Sequence, residues 1–143
     1  MDRISYATIY HSIISEIKSD GVKVIHRKMP KGINGYYDCE KKIISISPSI
    51  KCKLEGIAVL CHEWGHHIDF ASGKFPWFYW KAGSEQITEG KLAKVIKSEK
   101  SASKIALSKL KEFGIKSYDY AELNQEKEQE LVDFYKKYYF VRS

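Results

Sequence analysis

The sequence has few cysteines and few arginines, and it lacks any long run of apolar residues. Its three cysteines, Cys39, Cys52 and Cys61, are odd in number and show no C-x-x-C spacing. This pattern excludes a disulfide framework and predicts free thiols in a reducing compartment. A mixed Cys/His zinc knuckle is disfavoured because the paired cysteine spacing typical of such sites is missing.

No segment has the length or composition of a membrane span or a secretory leader. The longest apolar run, residues 75–80, has six residues and contains a proline, whereas a spanning helix needs about 20. The start of the chain, Met1–Ser5, lacks the apolar region of a signal peptide. We therefore expect a cytoplasmic protein without a membrane partner.

The net charge of +6 comes mainly from lysine, because the chain has 24 basic residues but arginine only at positions 3, 27 and 142. A basic protein can bind nucleic acid. Here, however, lysines are spread along predicted helical segments, a pattern that favours an ordinary solvated surface. A nucleic-acid partner therefore remains the weaker alternative. The lysines in question are Lys91, Lys94, Lys97, Lys100 and Lys104.

The chain length suits one domain with its own core. The chain has 143 residues, of which 43% are hydrophobic and 13% aromatic, so it can bury a core and is not of disordered composition. It shows no internal repeat and no low-complexity linker. We predict a single domain over residues 1–143.

Hydrophobic periodicity predicts a helix followed by a small sheet. Residues 4–18 carry apolar side chains at helical spacing, and Asp20-Gly21 ends that helix. Strands are predicted at 22–27 and, after a loop, at 36–37 and 42–47. The last of these is short, contains serine and lysine, and stops at a proline, which predicts an edge strand.

The second half of the chain has a helical pattern. A helix is predicted over 52–71 with Ser49 as its N-cap, followed by helical segments at 84–113 and 119–140. Residues 119–143 are expected to form a C-terminal helical extension. The fold class is therefore predicted to be α+β: an N-terminal helix, a small twisted sheet with an edge strand, the helix over 52–71, and C-terminal helices.

The strongest chemical signal is His62-Glu63-Trp64-Gly65-His66. On a helix, residues four apart project from one face, so both imidazoles could bind one Zn²⁺. Glu63 could act as the general base that takes a proton from a zinc-activated water and passes it to the leaving amine. Gly65 costs helix stability, so its presence predicts that another segment approaches closely there.

The residues after the motif do not supply a third histidine. His67 points about 100° away from His66 and is predicted not to be a ligand. Asp69 lies three residues after His66 and could orient an imidazole, although an ordinary helix acid is an equal alternative.

A catalytic zinc usually has three protein ligands and an open position, so a downstream glutamate is expected. Glu85 begins a segment similar to the ligand helix of thermolysin, and Glu89 is a further candidate. Glu99 stands in Glu99-x-x-Ala102, which is similar to the E-x-x-A pattern of gluzincins. Small residues around Glu99 would let two helices approach closely, so we favour it over Glu85 and Glu89.

Taken together, these motifs resemble the ImmA/IrrE family of small bacterial and phage metallopeptidases. The matching pieces lie within residues 20–113: the turn Gly32–Gly35 with Tyr36, the strand at 43–46, the residues 60–67, and Glu99 with the small residues that follow. The chain departs from the family at Trp64 and in the longer aromatic segment that follows His66.

This resemblance implies a minimal zincin fold with zinc held by His62, His66 and a downstream glutamate, and with Glu63 as the base. It also implies hydrolysis of an intracellular, often regulatory, protein. In that class an extended peptide adds to an edge strand, here predicted to be residues 43–47. The alternative is a binding or inhibitor protein of a mobile element, which keeps the fold but acts on a protein or nucleic acid without cleavage.

Overall fold

A computed structural model describes residues 5–30, 33–74, 87–115 and 141–142, and it has the predicted α+β composition. The elements in chain order are helix α1 (Tyr6–Ser19), strands β1 (Lys23–His26), β2 (Gly35–Asp38) and β3 (Ile43–Ile46), helix α2 (Leu54–Ala71), strand β4 (Ile87–Thr88), helix α3 (Glu89–Glu112) and strand β5 (Val141–Arg142).

Helix α1 confirms the helix predicted near the start of the chain. Its first turn is capped by Ser5, whose Oγ accepts a hydrogen bond from the backbone N–H of Thr8. At its other end Gly21 has φ +82°, a conformation that glycine adopts without steric cost. The buried side chains of α1 follow helical spacing: Ile9, Tyr10, Ile13 and Ile17.

The first three strands form a mixed sheet in the order β1-β3-β2. Strand β3 pairs in parallel with β1 and antiparallel with β2. The prediction that residues 43–47 form an edge strand is therefore wrong, because β3 is the central strand. Its residues Ile44, Ser45 and Ile46 are all buried, as expected for a strand with both neighbours present. Among the described residues, β1 and β2 form the edges.

The lysine that suggested an edge lies outside the ladder. Lys42 belongs to the turn before β3, where its φ is +54°, and Ser47 follows the strand and caps the next turn. The polar ends of the segment therefore belong to the turns. Of the four residues between them, Ile43 is half-buried and the other three are buried.

Helix α2 begins later than the sequence predicts. Pro48–Ile50 form a separate 3₁₀ turn capped by Ser47, and the N-cap of α2 is Lys53. The prediction of Ser49 as N-cap is wrong, since proline after Ser47 favours a tight turn before the helix can start. The helix ends at Ala71, as predicted.

Helix α3 is continuous over its 24 residues, and a glycine follows soon after its end. Gly114 has φ +82°, and the N–H of Ile115 donates to the carbonyl of Leu110. The start of α3 lies next to β4, which pairs in parallel with β5. The predicted helix at 119–140 and the aromatic run at 75–80 lie outside the described residues.

The core lies between α1, the sheet and α2, and α3 closes its far side. Trp64 is buried on α2, and its indole N–H donates to Oδ2 of Asp20 at 2.9 Å. The ammonium of Lys109 lies 4.6 Å from the centre of the same ring, which is a cation–π distance. Trp64 thus joins the end of α1, the middle of α2 and the end of α3.

Cys39, Cys52 and Cys61 are free, as predicted. Among the helices of the described residues, none combines the length and the apolar character needed to cross a bilayer.

Candidate metal centre

The two motif histidines lie side by side on the face of α2 that meets α3. Their ring centroids are 4.7 Å apart, as expected for residues four apart on a helix. His66 is buried and His62 nearly so. Both imidazoles are thus held in a protected position with their Nε2 atoms directed to the same point.

Glu99 of α3 supplies a carboxylate at that point. Its Oε2 lies 2.6 Å from Nε2 of His62 and 3.1 Å from Nε2 of His66. The ligand atoms of the three residues all lie within 4.8 Å of one another, and within the described ranges no other His, Cys, Asp and Glu side chains form such a group. The group could hold a metal ion. Of the alternatives, Glu85 and the side chain of Glu89 lie outside the described residues.

The donor atoms suit a tetrahedral cation. Imidazole nitrogen and carboxylate oxygen are normal zinc ligands at about 2.0–2.2 Å, and tetrahedral ligands at that distance lie about 3.4 Å apart. The observed separations of 2.6 and 3.1 Å therefore need to widen by less than about 1 Å to accept an ion. Three protein ligands would leave one position open for water or substrate.

The close approach of α2 and α3 depends on Gly65. A Cβ atom at Gly65 would lie 2.5 Å from the carbonyl oxygen and 3.0 Å from the Cα of Ala102, both backbone atoms. Ala102 is itself fully buried. The prediction that Gly65 permits a close approach is therefore confirmed, and the small residue three positions after Glu99 lies at the contact.

Without a metal ion, the site is a network of opposite charges. Burial disfavours the charged form of His62, but the charge and hydrogen bond of Glu99 outweigh it and raise the pKa of His62 to about 9. Burial alone would raise the pKa of Glu99, yet the charges and hydrogen bonds of His66 and His62 hold that pKa well below its ordinary value. A metal ion would replace a proton as the positive partner of Glu99.

Ser103 orients His62 from the side away from the metal position. Its Oγ lies 3.0 Å from Nδ1 of His62, and Ser103 is buried. In the tautomer that leaves Nε2 free to bind a metal, Nδ1–H donates to this hydroxyl. Ser103 is not among the residues predicted from the sequence, although its position four residues after Glu99 places it on the same face of α3.

Glu63 is buried between α2 and the edge strand β2. A Cβ atom at Gly35 would lie 3.3 Å from Cγ of Glu63 and would clash with Cγ1 of Val59, so a larger residue at this position of β2 would displace both side chains. Burial raises the pKa of Glu63; the charges of His62 and His66 oppose this rise and that of Glu99 adds to it. Glu63 can thus exchange a proton close to the ligand group.

His67 and Asp69, which follow the motif, both lie outside the group of metal ligands. His67 is buried and its Nδ1 lies 2.7 Å from the hydroxyl of Tyr37; it lies outside the ligand group, as predicted. Asp69 is also buried, but within the described ranges its Oδ2 has no hydrogen-bond partner. The hydrogen bond that orients His62 therefore comes from Ser103 and not from Asp69.

Comparison with known proteins adds no family assignment. No protein-family model matches the chain, no curated protein matches it, and no solved structure matches it. The function must therefore be inferred from the sequence motifs and from the geometry of the site.

Proposed function

We propose that the protein is a zinc-dependent metallopeptidase with a zincin-like fold, similar to the ImmA/IrrE family. The observation that carries this proposal is the position of Glu99, whose Oε2 lies within hydrogen-bond distance of Nε2 of both His62 and His66. Two histidines from one helix and a glutamate from the next are the ligand set of one established class of zinc peptidase. Cobalt or manganese would fit the same donors in vitro.

In this proposal His62, His66 and Glu99 hold the ion, and Ser103 keeps the His62 ring in its binding orientation. A bound Zn²⁺ would polarise the scissile carbonyl and make water more acidic. Glu63, adjacent to His62 in sequence and buried beside the ligands, accepts a proton from the attacking water. It then delivers that proton to the leaving amine, so that the peptide bond breaks and Glu63 returns to its starting state.

The peptide would pair with β2 instead of β3. Strand β2 is an edge among the described residues, and its Gly35 lies against Glu63. An extended chain can add to such an edge through backbone hydrogen bonds. The absence of a side chain at Gly35 lets Glu63 lie close to the backbone of β2, so a peptide paired with β2 would lie near the base. We propose an intracellular, regulatory protein as the substrate class, as the family resemblance implies.

Elemental analysis of the purified protein tests the site. We expect about one zinc per chain in the wild type, and loss of that zinc in His62→Ala and Glu99→Gln. Glu112→Gln is the matched control, since Glu112 is an exposed acid on the same helix and pairs with Lys109. A wild type that neither contains nor takes up zinc would contradict the proposal.

Hydrolysis is tested separately with Glu63→Gln. This variant should keep its zinc but lose cleavage of a quenched-fluorescent peptide library by at least about a hundredfold, the size of a general acid–base contribution. The wild type could bind zinc while the Glu63→Gln variant keeps full biological activity. In that case the protein acts by binding its partner, and the peptidase proposal is wrong.

A further inference from the structure

The solvent-facing side of α3 carries a continuous row of lysines. Between Gly90 and Lys111, the described side chains of α3 that are exposed are small or basic, and none of them is acidic or large and apolar. Four lysines of α3 are exposed among the side chains that the structure describes, and we call them the basic stripe: Lys94, Lys97, Lys104 and Lys111. The other exposed residues described in this part of α3 are Gly90, Ala93 and Ser108.

The spacing aligns these lysines along the helix axis. Lys97, Lys104 and Lys111 are each seven residues apart, so successive side chains rotate by only about 20° and rise by about 10.5 Å. The three charges therefore lie along one line about 21 Å long. The scattered lysines of the sequence become, on the folded helix, a single ordered row of positive charge.

Neighbouring residues add to the positive charge of this face. Lys74, three residues after the end of α2, donates a hydrogen bond from Nζ to Oγ of Ser101 at 3.0 Å. This contact brings a further ammonium to α3. Glu112 is the exposed acid at the end of the helix. Its Oε2 lies 3.7 Å from Nζ of Lys109, so the two residues form an ion pair. No exposed acid interrupts the basic stripe itself within the described part of α3.

We propose that the basic stripe binds the phosphate backbone of a double-stranded nucleic acid. A regular row of lysines with an interleaved serine hydroxyl provides the donors that contact phosphates. Its length corresponds to about six base-pair steps of a duplex. The stripe has no Arg, Asn or Gln of the kind that reads base edges, so binding should be independent of sequence.

The same face is poorly suited to other anionic partners. Protein interfaces are depleted in lysine and enriched in aromatic residues at their centre, and membrane-surface helices insert Trp, Phe or Leu. The large hydrophobic residues exposed in the described ranges are Tyr6 and Tyr36, and neither lies on α3. The apolar side of α3 is already used, since Ala102, Ala106 and Leu110 are buried.

This inference is independent of the proposed peptidase activity. Glu99 lies two residues after Lys97, about 160° from it around the helix axis when the shorter arc is taken, so the basic stripe and the ligand group occupy opposite sides of α3. Nucleic acid binding can therefore be measured in a variant without hydrolytic activity, such as Glu63→Gln, and in metal-free protein. A failure of either proposal leaves the other testable.

The test compares two triple variants by fluorescence anisotropy with a labelled 20-base-pair DNA duplex at several KCl concentrations. K97Q/K104Q/K111Q removes three charges from the basic stripe, and glutamine preserves helix propensity. K18Q/K28Q/K41Q removes three exposed lysines from elsewhere on the molecule. The two variants have the same net charge, so a difference between them reports position. Equal far-ultraviolet circular dichroism would show that both are folded.

We expect the wild type and the control variant to bind the duplex with a dissociation constant in the micromolar range, as is typical of binding without sequence preference. The stripe variant should bind at least about tenfold more weakly at 50 mM salt, with a salt slope shallower by about 2.7. A parallel titration with duplex RNA distinguishes the two sources of a phosphate backbone.

Three results would overturn the proposal. In the first, the wild type fails to bind either duplex at low salt. In the second, the two triple variants lose affinity equally, which would show that affinity depends on net charge and not on the position of the lysines. Vesicles of acidic phospholipid or a polyglutamate chain could also bind more tightly than the duplexes and with dependence on the basic stripe. That result would assign the surface to a different partner.

Discussion

Gly65 determines how closely α3 can approach the two histidines. We expect Gly65→Ala to destabilise the fold by about 1–3 kcal/mol through the clash with the backbone of Ala102, since backbone atoms cannot move aside as a side chain can. Metal affinity should fall as well, because the clash displaces Glu99. Urea denaturation and zinc titration would measure the two effects.

Gly90→Ala is the matched control for this prediction. Gly90 lies in α3 and is exposed, and a Cβ atom at this position would meet nothing within 4 Å. The change should be neutral or stabilise the protein by up to about 1 kcal/mol, because alanine is the better helix former. Equal destabilisation by the two substitutions would contradict the packing explanation.

Ser103 is a positioning residue for His62. We expect Ser103→Ala to weaken zinc binding by about 10- to 100-fold, the range seen when the partner of a ligand histidine is removed. The free energy of unfolding of the metal-free protein should change much less. Competition with a chromogenic chelator measures the affinity, and Ser108→Ala on the exposed face of α3 should leave it unchanged.

At the scale of elements, β2 is attached to α2 through Tyr37 and His67. We expect Tyr37→Phe to reduce the free energy of unfolding by about 1–3 kcal/mol, because it removes the 2.7 Å hydrogen bond and leaves Nδ1 of His67 buried without that partner. Tyr36→Phe on the same strand is the control, since Tyr36 is exposed. Chemical denaturation of both variants should separate them clearly; equal stabilities would show that the hydrogen bond is unimportant.

A second tyrosine–histidine pair connects α1 to β1 and should make their contact sensitive to pH. The Tyr10 hydroxyl lies 2.6 Å from Nε2 of His26. Burial, together with the charges of Lys51 and His11, lowers the pKa of His26 below 6.5. The unfolded chain therefore binds a proton at this residue more readily than the folded chain as the pH falls below about 6.5.

It follows that the stabilising contribution of His26 is present above about pH 6.5 and declines as the pH falls toward the lowered pKa. Wild type should be more stable than His26→Gln at pH 7.5, and the difference should shrink at pH 5. Subtracting the free energy of unfolding of the variant from that of the wild type removes the contributions of the other titrating groups. Urea denaturation at the two pH values measures this difference, and a gap that widens in acid would contradict the assignment.

At the scale of the whole molecule, the ligand group connects α2 to α3, so an ion would stabilise the folded chain. At a free zinc concentration one hundred times the dissociation constant, the gain is about 2.7 kcal/mol. Chelation should lower the melting temperature, and added zinc should restore it. In Glu99→Gln the melting temperature should be insensitive to zinc.

Zinc uptake should also release protons, because His62 has a pKa of about 9 in the metal-free site and must be neutral to bind an ion. Affinity should therefore increase with pH up to about 9. Calorimetric titrations at pH 7.5 in buffers of different ionisation enthalpy would measure the proton count. An enthalpy that is the same in every buffer would contradict the charge network of His62 and Glu99.

What the sequence by itself determined is local. The period of the helix places His62 and His66 on one face, the apolar spacing of residues 4–18 predicts α1, and Gly65 indicates a close approach. These features depend on the geometry of a few consecutive residues. They could therefore be predicted before any long-range contact was known.

Only the tertiary structure decided which distant elements meet. Strand β3 is central because β1 and β2 pair on its two sides, although its composition predicted an edge. Glu99 and Ser103 are brought to the histidines by the packing of α3 against α2 at Gly65. Such pairings are selected by burial and close packing across the whole chain. The small residues around Glu99 favour it as a ligand, but no local pattern indicates Ser103 or the order of the strands.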